Sequence, residues 1–343
     1  MQGASWHRSV LAMFTTAVVV TGGVLLGFAS SATAIPGGPA PIEQRNANTV
    51  TADPLPTVQI DSGVVWTQEV VGNTVYAGGS FTNARPAGAA QGTNLIPRSN
   101  ILAYNLTTGV ITSFAPQING EVKTIKASPD GSRIYVGGSF NSVGGQTRWN
   151  IAAFDVATGN LNTTFKPAVG GSYVNAIEVT NSAVYVGGLI GAGAGVTRKN
   201  LVAFNTAGAL LGWAPTTDLQ VDTMVLTPND DKLIVAGRFG TVNNVAQRGL
   251  AALDLSSGAI LPWIAPSVVQ NGVAVGVSGA GKAGIWELEA DANAIYGTGW
   301  VYSNKTVGNL EGLFSAERIS VGRVGVTFGA SGDATRLVTV RLS

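Results

Sequence analysis

Cysteine is absent from this 343-residue chain, and histidine occurs once, at His7. Without them the body of the chain has no Ser-His-Asp or Cys-His nucleophile and no His-ligated zinc, copper or haem site. No disulfide can support the fold, so stability has to come from core burial and sheet pairing. Charge is scarce as well: Asp, Glu, Lys and Arg make up 11% of the residues, against about 25% in ordinary domains. Past residue 34 the 19 acidic residues are matched by as many basic ones. That balance leaves no electrostatic footprint for nucleic acid. Outside the first residues no stretch has a helical period. The chemistry left is carboxylate work, a Lys or Tyr base, or oxygen-ligated calcium, and neither a cofactor nor a metal is expected.

The one long apolar run lies at the start. Arg8 precedes an apolar stretch from Val10 to Ala29, and Ala32-Thr-Ala34 supplies small residues for cleavage. Residues 1–34 are therefore read as a signal peptide and the chain as secreted or held at the cell envelope. The run is also near spanning length, so membrane contact is expected if the segment is retained. Residues 35–57, rich in Pro, Gly, Ala and Asn, read as a linker.

What the chain has in abundance is repetition. Ile134-Tyr-Val-Gly-Gly-Ser-Phe140 echoes Val75-Tyr-Ala-Gly-Gly-Ser-Phe81 and Val184-Tyr-Val-Gly-Gly-Leu-Ile190, with weaker copies at Ile234–Phe239 and Ile295–Trp300. Alternating β-branched and aromatic residues suit a half-buried strand. The paired glycines would allow a bulge or a close backbone approach. Arg98, Arg148, Arg198 and Arg248 recur every 50 positions. Each precedes an apolar strand: Asn100–Asn105, Asn150–Asp155, Asn200–Asn205 and the one-residue-shorter Leu250–Asp254. These strands end in Asn or Asp, then meet Gly109, Gly159, Gly208 or Gly258, which is hairpin chemistry. Next come an aromatic and a proline (Phe114 and Pro116, Phe165 and Pro167, Trp213 and Pro215, Trp263 and Pro266), as at an outer edge. A further strand, such as Val122–Ala127 or Ile285–Ala290, completes each unit. The fold expected is all-β: a β-propeller of about five four-stranded repeats over 58–316. The fifth repeat stops short of its last strand, and 317–343 is an out-of-register tail that is not expected to close the ring. The Gly-rich run Gly191–Gly195 is placed in a loop.

In these phrases the chain resembles the secreted bacterial propellers built from delta-60-type repeats, over about 75–316. The resemblance implies an exported β-propeller and carries over no catalytic residue. A weaker similarity, through Asp155, Thr158, Gly159 and Phe165, is to quinoprotein-type propellers.

Few residues stand out as sites. The Arg series reads either as a ring of guanidinium groups gathering an anion or as a bond between blades copied by duplication. Trp149 interrupts the repeat, where Ser99, Lys199 and Gly249 hold the equivalent places, and is a candidate exposed contact. Glu287 and Glu289 share one strand face; Asp130 and the pair Asp230 and Asp231 read as turns. The function expected is non-catalytic binding of an extracellular protein or glycan. The alternative is an envelope enzyme of quinoprotein-like or carboxylate-dependent lyase or hydrolase type.

Overall fold

The computed structural model describes residues 57–227, 229–263, 265–268, 284–290, 294–304 and 308–317. The leader, most of the linker and the tail, with the expectation about ring closure, lie outside the described residues. The protein is all-β, with one four-residue helix, Ala265–Val268, among the described residues.

Five antiparallel sheets follow one another along the chain, each a meander with its second strand in the middle. The first comprises Gly63–Val71, Thr74–Phe81 and Ile101–Asn105, and the second Glu121–Ala127, Arg133–Ser139 and Ile151–Asp155. The third comprises Val169–Val179, Ala183–Gly193 and Leu201–Asn205, and the fourth Val221–Leu226, Lys232–Gly237 and Leu250–Asp254. The fifth comprises Gly284–Ala290, Ala294–Asn304 and Gly308–Glu317.

The expected fourth strand is reduced to a single bridge in each of the first four sheets: Tyr104 with Ile111, Phe154 with Leu161, Phe204 with Leu210 and Leu253 with Ile260. The Asx turn brings the chain back alongside the third strand, as where Asn105 Oδ1 accepts from the Thr107 and Thr108 amides at 3.0 and 2.8 Å. The proline that follows has no N–H with which to extend a ladder, and the aromatic turns inward. Phe165 and Trp213 are buried, packed edge-on to Tyr135 and Tyr185 at 4.9 and 5.0 Å. Trp213 Nε1 also donates to the Asp254 carbonyl of the next sheet at 3.0 Å.

A small hairpin not expected from the sequence stands between second and third strands. Ser142–Val143 pairs with Gln146–Thr147, and Thr241–Val242 with Val245–Ala246. In the third sheet, Gly191–Gly193 belongs to the second strand instead of lying in a loop, and Ala192 and Gly193 pair with Thr197 and Val196. The two turn residues have positive φ in each case: Gly144 and Gly145, Ala194 and Gly195, Asn243 and Asn244. That is the geometry of a primed turn, written three different ways in sequence.

The glycine pairs have two separate tasks. In all five sheets the first strand has a register shift opposite this point: Val65/Thr67, Val122/Thr124, Val174/Ala176, Val221/Thr223 and Ile285/Glu287. A Cβ on Gly138 would stand 2.0 Å from the Glu121 carbonyl oxygen, so this glycine admits the bulge. A Cβ on Gly137 would stand 2.5 Å from Val174 Cγ1, so this one admits the neighbouring sheet. Sheets then pack face to face. Tyr76 and Ile101 meet Val122 and Ile134; Tyr135 and Ile151 meet Val174 and Val184. Leu201 meets Val221 and Leu253, and Ile234 meets Ile285 and Leu288.

Asparagine closes each joint. Asn100, Asn150 and Asn200 hold positive φ of 66, 61 and 68°. Their side-chain amides donate forward to Ile118 O at 2.9 Å, Val169 O at 2.9 Å and Thr217 O at 3.0 Å, where the chain enters the next sheet. Gly249, which equal spacing sets level with Trp149, takes the asparagine's place in the fourth unit, with φ 88°, because that unit is one residue shorter here.

Gly138→Ala should cost about 1–3 kcal/mol through overpacking, measured as a lower denaturant midpoint. Gly191→Ala, with nothing within 4 Å of the new Cβ, serves as the near-neutral comparison. Equal midpoints for the two variants would contradict the close-approach role.

Candidate functional site: the shared pocket and its aromatic rim

The first strands of all five sheets line one polar cavity of about 110 Å³, contributing Thr67 and Glu69, Lys123 and Lys126, Asn175 and Glu178, Asp222 and Thr223, and Glu287 and Glu289. A second cavity of about 520 Å³ opens beyond it, walled by Pro129, Val179, Val225, Leu226 and Ala290. Glu69, Lys126, Glu178 and Glu289 line both. The repeated bulge brings them there: it resets the two-residue alternation, so Ile285 and Leu288 are both buried while Trp286, Glu287 and Glu289 face outward.

Several of these polar groups also bind sheet to sheet. Glu69 Oε1 accepts from the Ala127 amide at 2.9 Å, and Thr67 Oγ1 from Ile125 at 3.3 Å. Thr223 Oγ1 accepts from the Leu288 amide at 3.2 Å. Glu178, 4% exposed, pairs with Lys126 Nζ at 3.0 Å. Burial pushes the Glu178 carboxyl up to about 7, against the pull of Lys126 and with the push of Glu69 and Glu289. Burial also raises Glu69 and Asp222, and burial with the like charge of Glu289 raises Glu287. Among the described residues no three side chains of His, Cys, Asp or Glu are placed to hold a metal.

The bulged residues form a rim: Trp66, Lys123, Asn175, Asp222 and Trp286. Trp66 and Trp286 are 54% and 53% exposed. Trp66 Nε1 donates to Glu121, which pairs with Lys123 at 2.8 Å. The Lys123 ammonium lies 5.6 Å from the Trp66 ring and 5.5 Å from the Tyr173 ring. Tyr173 Oη donates to Gln220 at 2.9 Å, and Gln220 donates to Asp222. Arg238 pairs with Asp222 at 3.5 Å and lies 5.7 Å from the Trp286 ring.

The sequence-derived candidates fall elsewhere. Arg98 and Arg148 are buried, Arg198 and Arg248 half-buried, and none lines the shared pocket. Arg98 donates to the Pro97 and Thr112 carbonyls, both at 2.7 Å. Arg198 donates to Thr197 and Leu211 at 3.0 and 3.2 Å, and Arg148 to Thr147 at 2.8 Å. These bonds stay inside one unit and tie the start of the third strand to the segment after its hairpin; they do not link one sheet to the next. Burial lowers the pKa of Arg98 and Arg148. Trp149 is 50% exposed beside a depression of about 240 Å³ that includes Ser139, the register partner of Glu121. Asp130 is an exposed turn residue, held at about 2 by bonds from Ser128 and Ser132, and Asp230 has the positive φ of a turn. The rim itself was missed by sequence reasoning, although Trp66, Lys123 and Trp286 each follow a β-branched residue near the start of a first strand.

Two outcomes follow. Arg98→Ala should lose roughly 1.5–3 kcal/mol of stability, the cost of a buried charge-assisted bond; an unchanged unfolding midpoint would refute the clamp. Glu178 titrates above its ordinary 4.5. Its stabilising contribution is therefore complete below pH 4.5 and lost as pH rises through about 7. Across that window the wild-type melting temperature should fall more steeply than that of Glu178→Gln. Parallel curves would show that this carboxyl is not the group titrating.

No family model and no curated protein matches the chain. Among solved structures it is similar to Kuenenia stuttgartiensis hydrazine synthase, at 12% identity and a TM-score of 0.47. The match covers 75% of this chain and 63% of that one, so the chain spans less than two thirds of that protein's length. A likeness at this level carries no argument about activity.

Proposed function

We propose that the chain is a five-bladed β-propeller acting outside the cell as a binding module, with an extracellular protein or glycan as ligand. The propeller reading is supported by five meander sheets packed in chain order and by one pocket lined by all five first strands. The exported location rests on the leader-like residues 1–34, and the repeat phrases keep their resemblance to delta-60-type propellers.

One observation carries the binding role: two tryptophans, Trp66 and Trp286, stand half-exposed at equivalent bulged positions of the first and fifth sheets. Their outward placement gives no core stability, whereas aromatic side chains with a polar edge dominate recognition surfaces. The carboxylates that an enzymatic alternative would use are partly engaged in cohesion: Glu178 holds Lys126, and Glu69 caps the Ala127 amide.

Immobilised protein should be screened against arrays of extracellular proteins and glycans, with the double variant Trp66→Ala/Trp286→Ala alongside. The expected outcome is a ligand retained by the wild type and lost by a variant of unchanged melting temperature. Full binding by the double variant would move the site away from this rim.

A further inference from the structure

The rim also specifies what kind of ligand it suits. Trp66, Lys123, Tyr173, Gln220, Arg238 and Trp286 form an arc in which aromatic rings alternate with polar groups. Each charge on the arc is matched: Lys123 by Glu121 at 2.8 Å, and Arg238 by Asp222 at 3.5 Å. The arc's own charges therefore cancel, with the Glu287 and Glu289 carboxylates lining the pocket beside it, and an anionic ligand would have to break an existing pair to be recognised. Nor is there a continuous apolar centre of the kind that carries a protein interface, because a polar side chain separates each ring from the next. The polar groups are held at fixed positions by one another, so they are oriented before any ligand arrives.

From this we infer that the arc binds an uncharged glycan, a reading that rests on the rim being the binding face. A sugar ring has an apolar C–H face that lies against indole or phenol. It also has hydroxyls that both donate and accept, which matches an alternation of aromatic surface with amide, carboxylate, ammonium and guanidinium groups. The cations already set against Trp66, Tyr173 and Trp286 orient those rings without adding net charge. The ligand lies across the mouth and not inside the pocket: a cavity of about 110 Å³ has room for a few water molecules.

The test is titration of the full chain, followed by tryptophan fluorescence, with neutral oligosaccharides of glucose, mannose and N-acetylglucosamine. Uronic acid oligomers and sulfated oligosaccharides form the charged arm, and an extracellular protein panel forms the third. At least one neutral series should bind, with little change between low and high salt, and Trp66→Ala and Trp286→Ala should each weaken it about tenfold. If instead a charged glycan or a protein binds and the tryptophan variants abolish that binding, the inference fails while the binding face stands. If every binding event survives both substitutions, or nothing in any arm binds, the binding face fails with it. Circular dichroism and melting curves of each variant separate lost contact from lost folding.

Discussion

The backbone contact between first and second strands is the constraint on which the rest of the structure depends. At Gly138 the carbonyl of Glu121 comes close enough that no Cβ fits, and a bulge in the first strand accompanies that approach. A bulge shifts the alternation of side chains by one place. In this chain the shift occurs in all five first strands, each time just after a β-branched residue: Val65, Val122, Val174, Val221 or Ile285. It presents Trp66, Lys123, Asn175, Asp222 and Trp286 at the rim and aims Glu69, Lys126, Glu178 and Glu289 at the pocket. The neighbouring glycine, as at Gly137, then lets the next sheet approach. The fourth and fifth sheets depart from this with Ala236 and Thr298 at the equivalent place.

Cohesion between sheets is part apolar and part polar. The apolar part is the set of four clusters spanning adjacent sheets. The polar part is local and directional: Asn amides reaching forward, Glu69 on Ala127, Thr223 on Leu288 and Glu178 on Lys126. With few charges in the chain, the ones placed between first strands are conspicuous. Burial makes their protonation relevant near neutral pH, because a carboxyl shielded from water is costly to ionise even beside an ammonium. The lining of the pocket thus has a structural task as well as any functional one, and the rim shares it where Trp66 Nε1 reaches Glu121 and Asn175 Nδ2 reaches the Val221 carbonyl of the next sheet.

Some of the molecule was legible in the chain. Paired glycines after Val-Tyr or Ile-Tyr pointed to a bulge or close approach because a missing Cβ leaves room for either, and in the second sheet both occur, one at each glycine. The Asn or Asp that ends each third strand, followed by glycine, marked the hairpin through side-chain bonds that act within a few residues. Alternation of apolar residues marked the strands. All of these are short-range effects, and a short-range effect is written in the residues that produce it.

Other features were decided only when distant segments met. Aromatic and proline residues after the hairpin looked like a strand, yet packing draws Phe165 and Trp213 inward and leaves a single bridge. The equal spacing of the arginines could not distinguish a ring around a ligand from a clamp within one unit. That distinction depends on which carbonyls lie within reach, and Thr112 meets Arg98 only through the returning hairpin. The asparagines before the third strands recurred at the same interval, but their forward bonds exist only once the next sheet is in place. The rim was least legible of all. Trp66, Lys123, Asn175, Asp222 and Trp286 lie far apart in the chain, and a surface made from one bulged residue of each first strand exists only once the five sheets are packed.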